Sequence, residues 1–506
     1  MELGTLLVLA KLITVEQLND GLNRQMGNSG RLGDHLIEAG HITERALNRF
    51  LNTFPVEPEN VETIGIDETD LLGLLMKQIY TARLRSVPEF ADGLKLPRHI
   101  VTDLVRLATE RKLLYAKGVR SDNAAIMTYD LTEEGRRWAN DALERSQYNG
   151  PVPVTLAQYN HQVNLQKITN EVVTFKRVRG TLSDLDMEQT LLEQAGPALN
   201  SGRAILLYGP PGNGKTTFAL RLANIFTDII YVPYAVSVEG QVIRVFDPSI
   251  HIAVEASTDG QDSSFLRGVE VDARWIPCRR PFVVAGGELN LEMLDLRYDA
   301  VSKLYEAPLH MKALGGCFVI DDFGRQLVSP TDLLNRWIVP LESRIDYLKL
   351  HTGKSFSIPF DELVIFSTNL DPEDLMDPAF LRRLPYKIEI GSPSVALFKR
   401  IFAKECASHR IDVTEEDLDA VVHRIKVDKQ LDLAAFQPRF LLDQVVSSCR
   451  FAEQKVTLEP RFLNYALDNL RVRRAAPEPA PPAELAAPSK VLTSWELQND
   501  PEVKQG

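Results

Sequence analysis

Residues 204–223 read Ala204-Ile-Leu-Leu-Tyr208, then Gly209-Pro210-Pro211-Gly212-Asn213-Gly214-Lys215-Thr216, then Thr217-Phe-Ala-Leu-Arg-Leu-Ala223. A short apolar run, a glycine-rich turn and a segment with helical spacing predict a strand, a loop and a helix in that order. Glycines let successive backbone N–H groups turn inward, and the helix N-terminus adds partial positive charge. Such a loop cradles phosphate. In this arrangement Lys215 reaches the β- and γ-phosphates of a nucleotide, while Thr216 places its hydroxyl on Mg²⁺. Gly209 to Thr217 are therefore the expected phosphate-binding residues.

The flanking sequence repeats the theme of strands with polar ends. Cys317-Phe-Val-Ile320 is followed by Asp321-Asp322, and Leu363-Val-Ile-Phe-Ser-Thr368 by Asn369. Taken alone, paired aspartates after a strand are an ordinary turn. Downstream of a phosphate loop they acquire a second reading. Asp321 is the acidic partner of Mg²⁺, and Asp322 orients the attacking water. Parallel strands ending in Asp and Asn would bring both side chains to the carboxyl edge of one sheet. Further strands are expected at Ile229–Val232 and Tyr386–Ile390. Their apolar runs lack alternation, as in a parallel sheet buried on both faces. Asp377-Pro-Ala-Phe-Leu-Arg382-Arg383 reads as a helix ending in paired arginines, which is either a solvated end or an anion contact. Arg439 begins a helix, where a positive charge gains nothing from the dipole and needs an anionic partner.

The fold class predicted is multidomain α/β, with an ATPase core at 166–394 and a helical lid at 395–473. Ahead of them stand an all-α repeat domain at 1–54, a linker at 55–69, a segment of three helices, a hairpin and a closing helix at 70–148, and a linker at 149–165. The repeat is internal: Leu3-Gly4 and Thr14 recur as Leu32-Gly33 and Thr43, and Leu18 and Leu22 as Leu47 and Leu51. The Pro/Ala-rich stretch at 474–506 reads as a disordered tail, with Val491–Leu497 as a peptide handle.

At 506 residues the chain exceeds one hydrophobic core. Its net charge of −12 argues against a general nucleic-acid coat. Cys278, Cys317, Cys406 and Cys449 lack metal-ligand spacing and suit a reducing, cytoplasmic setting. No run of 18 apolar residues exists, so membrane insertion is not expected.

The ordered set of phosphate loop, Asp-Asp strand, Asn strand, Asp-x-Ala-x-x-Arg-Arg and helical Pro-Arg resembles the AAA+ ATPases over about residues 166–473. That resemblance implies ATP and Mg²⁺ as cofactors and a homo-oligomeric ring, commonly a hexamer. It gives Asn369 the sensor 1 role and Arg439 that of sensor 2. Arg382 or Arg383 takes the part of the finger reaching a neighbour's nucleotide, with Arg344 a third candidate. The segment Tyr347–Phe360 resembles the extra hairpin of the chelatase- and MoxR-like branch. One departure is Asp322 where most of the family has Glu, a side chain one methylene shorter; Glu342 is a candidate to compensate. The N-terminal repeat resembles the cyclic di-GMP-binding module of type II secretion and pilus ATPases, through Leu3, Gly4, Arg31, Leu32, Gly33 and Gly40. It departs at Glu2, Lys11 and Phe54. Residues 70–148 match a winged-helix layout, with Arg98, His99, Arg106, Arg111 and Lys112 on or beside the third helix. DNA contact is one reading there, and solvated charge the favoured one. The function expected is ATP-driven remodelling of a protein client, with cyclic di-GMP as a regulator. The alternatives are a nucleotide switch with weak hydrolysis and a DNA-binding regulator.

Overall fold

The computed structural model describes residues 3–9, 12–27, 31–51, 53–119, 126–254 and 271–470. Glu2, Lys11 and the tail at 474–506, including Val491–Leu497, lie outside them. Five parallel strands form the central sheet: β1 (Ile205–Tyr208), β2 (Phe282–Ala285), β3 (Cys317–Ile320), β4 (Leu363–Thr368) and β5 (Tyr386–Glu389). Their spatial order is β5-β1-β4-β3-β2. Every residue of β3 and β4 is buried, as runs of apolar residues without alternation require. Successive side chains still part to opposite faces. Ile205, Leu207, Val319 and Ile365 pack with Phe218 and Leu222 of the helix Lys215–Ala223, whereas Leu206, Phe318, Ile320 and Phe366 pack with Trp337 on the other side. The chain runs from β1 to the far edge at β2, returns through β3 and β4, then crosses to β5. Strand order therefore reverses at β1, and the carboxyl ends of β1, β3 and β4 meet on one edge, where open α/β sheets bind ligands.

One strand expectation is corrected. Ile229–Pro233 does not join the parallel sheet; it pairs antiparallel with Trp275–Arg279 in a separate two-stranded sheet. The fifth place is taken by β2, an edge strand whose burial alternates and whose Val284 is exposed. A short β-branched run does not state its partner, so the sequence pattern could not separate the two. The 149–165 segment is not a linker. Its Val154–Thr155 pairs with Ala235–Val238 in a second five-stranded sheet. Thr155 then caps the helix Leu156–Leu165 through a capping box with Gln158. Pro151 and Pro153 suggested a loop, but both precede the helix, where proline is harmless. The 55–69 segment likewise holds a short helix, Val61–Ile64, capped by Asn60.

The N-terminal repeat is visible in the packing. Gly4 lies against Leu18, and Gly33 against Leu47, where an added Cβ would come 2.7 Å from Leu47 Cδ2. Thr14 accepts from Gln17 N and Thr43 from Ala46 N, each at 3.2 Å, so both second helices carry the same cap. Phe54 is 3% exposed and packs edge-on against Tyr231. Residues 68–145 fold as helices Glu68–Ala82, Val87–Leu94 and Arg98–Glu110, the hairpin Leu114–Val119 with Met127–Leu131, and helix Glu133–Arg145. At the opposite end of β4, Glu362 is fully buried with neither carboxylate oxygen hydrogen-bonded. Burial pushes its pKa well above the usual carboxylate range.

Among the described residues, 402–432 and 437–470 form a second, helical unit, while 433–436 go with the first. Within the helical unit Leu441, Val445 and Cys449 of Gln437–Phe451 are buried, as are Leu463 and Ala466 of Pro460–Asp468. All four cysteines are buried and unpaired. Among the described residues no helix is long and apolar enough to cross a membrane.

Candidate functional site

The phosphate loop takes its shape from residues without a Cβ. Gly209 has φ 134° and Gly214 φ 86°, both in the region that favours glycine. At Gly209 a side chain would also collide with the carbonyl of Ile390. Gly214 is the N-cap of the helix Lys215–Ala223. Lys215 is 5% exposed, and its Nζ donates to the carbonyls of Gly209 and Pro210 at 2.8 Å each. Burial lowers its pKa, while Asp322 and Asp321 pull it back up. The lysine thus rests on its own loop, holding a cation where the N–H groups converge.

Thr216 follows it and donates to both oxygens of Asp321, at 3.0 and 2.9 Å. Asp321 is fixed by its own N–H on Ala285 O, 2.9 Å away, which continues the β3–β2 ladder by one residue. Asp322 turns into the left-handed region with φ 48°, an uncommon conformation that Asp tolerates better than most residues. Three bonds from two side chains hold that turn. Asn369 Nδ2 donates to Asp322 Oδ1 at 2.8 Å, and Gln326 Nε2 donates to the carbonyls of Asp321 and Asp322 at 2.9 and 3.1 Å. The start of the helix after the loop and the ends of β3 and β4 are therefore joined side chain to side chain. A hydroxyl and a carboxylate 3 Å apart are hard oxygen donors, the set Mg²⁺ takes when phosphate and water fill its other positions. Among the described residues no group of three or more His, Cys, Asp or Glu forms a metal site of its own.

The arginines separate. Arg382 is exposed and has no side-chain partner among the described residues. Arg383 sits on Glu342 at 3.3 Å and is 27% exposed, which also engages the glutamate that could have compensated for Asp322. Arg344 is committed elsewhere, to Asp361 at 3.5 Å and the carbonyl of Glu362 at 3.4 Å. In the helical unit Arg439 is 79% exposed, with Asp443 one turn on at 3.8 Å, so part of its need for an anion is met within its own helix.

Residues 394–469 match the family described as a domain of unknown function (DUF8689). No curated protein matches the chain. Among solved structures, the chain is similar to the RuvB Holliday junction branch migration motor of Thermotoga maritima, at 13% identity and a TM-score of 0.32, over 58% of this chain and 73% of that one. A point mutant of the same RuvB gives 14% identity, a TM-score of 0.32, and 60% and 73% coverage. NtrX from Brucella abortus gives 13% identity and a TM-score of 0.33, over 68% of this chain and 61% of that one.

Sequence reading missed the cavity beside the loop. It measures about 400 Å³ and is lined by residues from 186–194, from the ends of β1 and β5, and by Asn213 and Ala435. Nothing in residues 186–194 signals a ligand, because they line the cavity as ordinary loop and helix start. Glu288 was also missed. It stands just past β2, next to β3, with its carboxylate folded onto Gly286 N at 2.8 Å; that bond lowers its pKa. Of the residues that resembled a cyclic di-GMP site, Gly4, Leu32 and Gly33 are buried in helix packing, while Arg31 and Gly40 are exposed. Of the basic residues on the third helix, Arg106 pairs with Asp103 and Glu110, Arg111 with Glu68, and His99 meets Glu59 O.

Proposed function

We propose that this chain is a Mg²⁺-dependent ATPase of the AAA+ kind that assembles into a ring and uses hydrolysis to remodel a protein client. The observation that carries the reading is the bond between Thr216 and Asp321, which joins the phosphate loop to the acidic strand end. The residues present fit the group: a buried lysine, a hydroxyl and a carboxylate converge on a loop shaped for phosphate. Bound Mg²⁺·ATP supplies the phosphoanhydride bond and the neutralised charge that makes it reactive. Lys215 is the fixed cation for the phosphates, and Thr216 and Asp321 hold the metal. Asp322, aimed by Asn369, orients water and accepts its proton. Arg382, exposed and without a side-chain partner among the described residues, is the arginine that reaches a neighbouring copy.

A protein client is favoured over DNA because Arg106 and Arg111, two of the basic residues on or beside the third helix, spend their charge on Asp103, Glu110 and Glu68 in the same segment. A second reading, a nucleotide switch with slow turnover, draws on the short Asp322 side chain; a misplacement of about 1 Å can cost roughly a hundredfold. Gly4 and Gly33, packed against Leu18 and Leu47, lend no support to regulation by cyclic di-GMP.

The ring is tested by light scattering of the purified protein. With Mg²⁺·ATP the mass is expected to rise from that of one 56.8 kDa chain to a closed multiple, and EDTA to reverse it. A mass that ignores both nucleotide and chelator contradicts assembly.

A further inference from the structure

Asn213 is 7% exposed, and its two amide atoms are treated differently. Oδ1 accepts from Ala435 N at 3.1 Å, which fixes the rotamer and decides which atom is the nitrogen, since an N–H requires an acceptor. The neighbouring Phe436 N donates to Gly212 O at 2.9 Å, so the segment before the helix Gln437–Phe451 is fastened to the loop at two points. Nδ2 is left buried with no partner. Asn213 lines the 400 Å³ cavity, together with Thr190, Gln194, Tyr208, Lys387 and Glu389. A buried donor without an acceptor is costly, and a native structure keeps one chiefly where a ligand or water completes it.

We propose that Asn213 is a specificity-determining residue: its Nδ2 donates to a ring nitrogen of a purine base seated in this cavity. The inference rests on the ATP reading above and deepens it. Three features point to a base. The cavity adjoins the phosphate loop, so a nucleotide whose phosphates lie on Gly209–Thr216 has its nucleoside within reach. A volume of about 400 Å³ accommodates a purine nucleoside and excludes a macromolecule. The fixed orientation of the amide presents a donor and no acceptor, and every purine ring carries bare nitrogens that accept. The Ala435 bond is what makes the selection rigid; without it the amide would flip and serve either donor or acceptor.

The test separates base from phosphate. A fluorescent ATP analogue bound to the full chain is displaced by ATP and, separately, by inorganic tripolyphosphate, in wild type and in Asn213→Ala. Because Asn213 also belongs to the phosphate loop, the readout is the ratio: in the variant ATP is expected to weaken about tenfold more than tripolyphosphate does, the loss of one hydrogen bond made in a desolvated site. Equal weakening of both competitors, or of neither, overturns the proposal. A variant-free measurement guards against misfolding: among the 1-deaza, 3-deaza and 7-deaza analogues of ATP, one is expected to bind wild type about tenfold less tightly. If all three match ATP, no ring nitrogen is read and the proposal fails. A wild type that binds neither ATP nor tripolyphosphate sinks the nucleotide reading itself, which is a different failure from ATP binding that ignores Asn213.

Discussion

Asp322→Asn lowers steady-state phosphate release by about 10²–10³-fold and leaves ATP affinity within about threefold. Asp322 is exposed, and the isosteric amide keeps an oxygen for Asn369 Nδ2, so the turn at φ 48° survives. What is lost is the negative charge that orients water and takes its proton, a contribution of about 10²–10⁴ in rate. Separate titration of binding and turnover distinguishes the possible outcomes. If turnover falls and binding stays, Asp322 acts in the chemical step. If both collapse, Asp322 belongs with Asp321 in holding the metal. Unchanged turnover transfers the role to another carboxylate, and Glu288, just past the neighbouring β2, is the next along that edge.

Arg382→Ala is expected to be at least as damaging, at about 10³-fold in kcat, because an arginine that reaches a transferring phosphoryl group contributes about 10³–10⁵. The structural cost is small: the side chain is exposed and gives up no partner among the described residues, so the melting temperature stays put. Arg383→Ala is the contrast. It breaks the contact with Glu342 and opens a half-buried position, and its signature is lower stability with a lesser effect on rate. A mixture of Arg382→Ala and Lys215→Ala chains recovers part of the activity if the arginine acts on a neighbour, since a Lys215→Ala subunit can lend its Arg382 to an intact phosphate loop. No recovery, with both single variants inactive, places Arg382 outside a shared site.

Much of this edge could be read from the chain because its chemistry is local in sequence. A strand, a glycine loop and a helix occur within twenty residues, and Asp321-Asp322 and Asn369 close the runs Cys317–Ile320 and Leu363–Thr368, which read as buried strands. Being parallel, such strands bring their carboxyl ends to one edge. What escaped was pairing at long range. Ile229–Pro233 and Phe282–Ala285 are equally strand-like, and only the fold decides that the second extends the parallel sheet while the first turns to meet Trp275–Arg279. The proline-rich 149–165 segment looked like a spacer because turn residues are counted locally, whereas its order comes from Val154 lying against Val236. Phe54 was legible only as a departure from a motif; its burial against Tyr231 supplies the physical reason, an anchor between the repeat and the sheet behind it. The cavity was out of reach altogether, because its walls come from residues 186–194, from 387–401 and from Asn213 and Ala435, and none of these stretches carries a signal by itself.

The measurement that bears most directly on the site is steady-state phosphate release from Mg²⁺·ATP by the purified chain beside Lys215→Ala. Lys215 is the one buried cation at the loop, held by the carbonyls of Gly209 and Pro210, and replacing it removes the charge on which phosphate binding depends. A Mg²⁺·ATP site on this edge gives release that is Mg²⁺-dependent in wild type and falls to background in Lys215→Ala. Release that is equal in the two proteins, or absent from both, contradicts an ATP-hydrolysing site formed by Lys215, Thr216, Asp321 and Asp322.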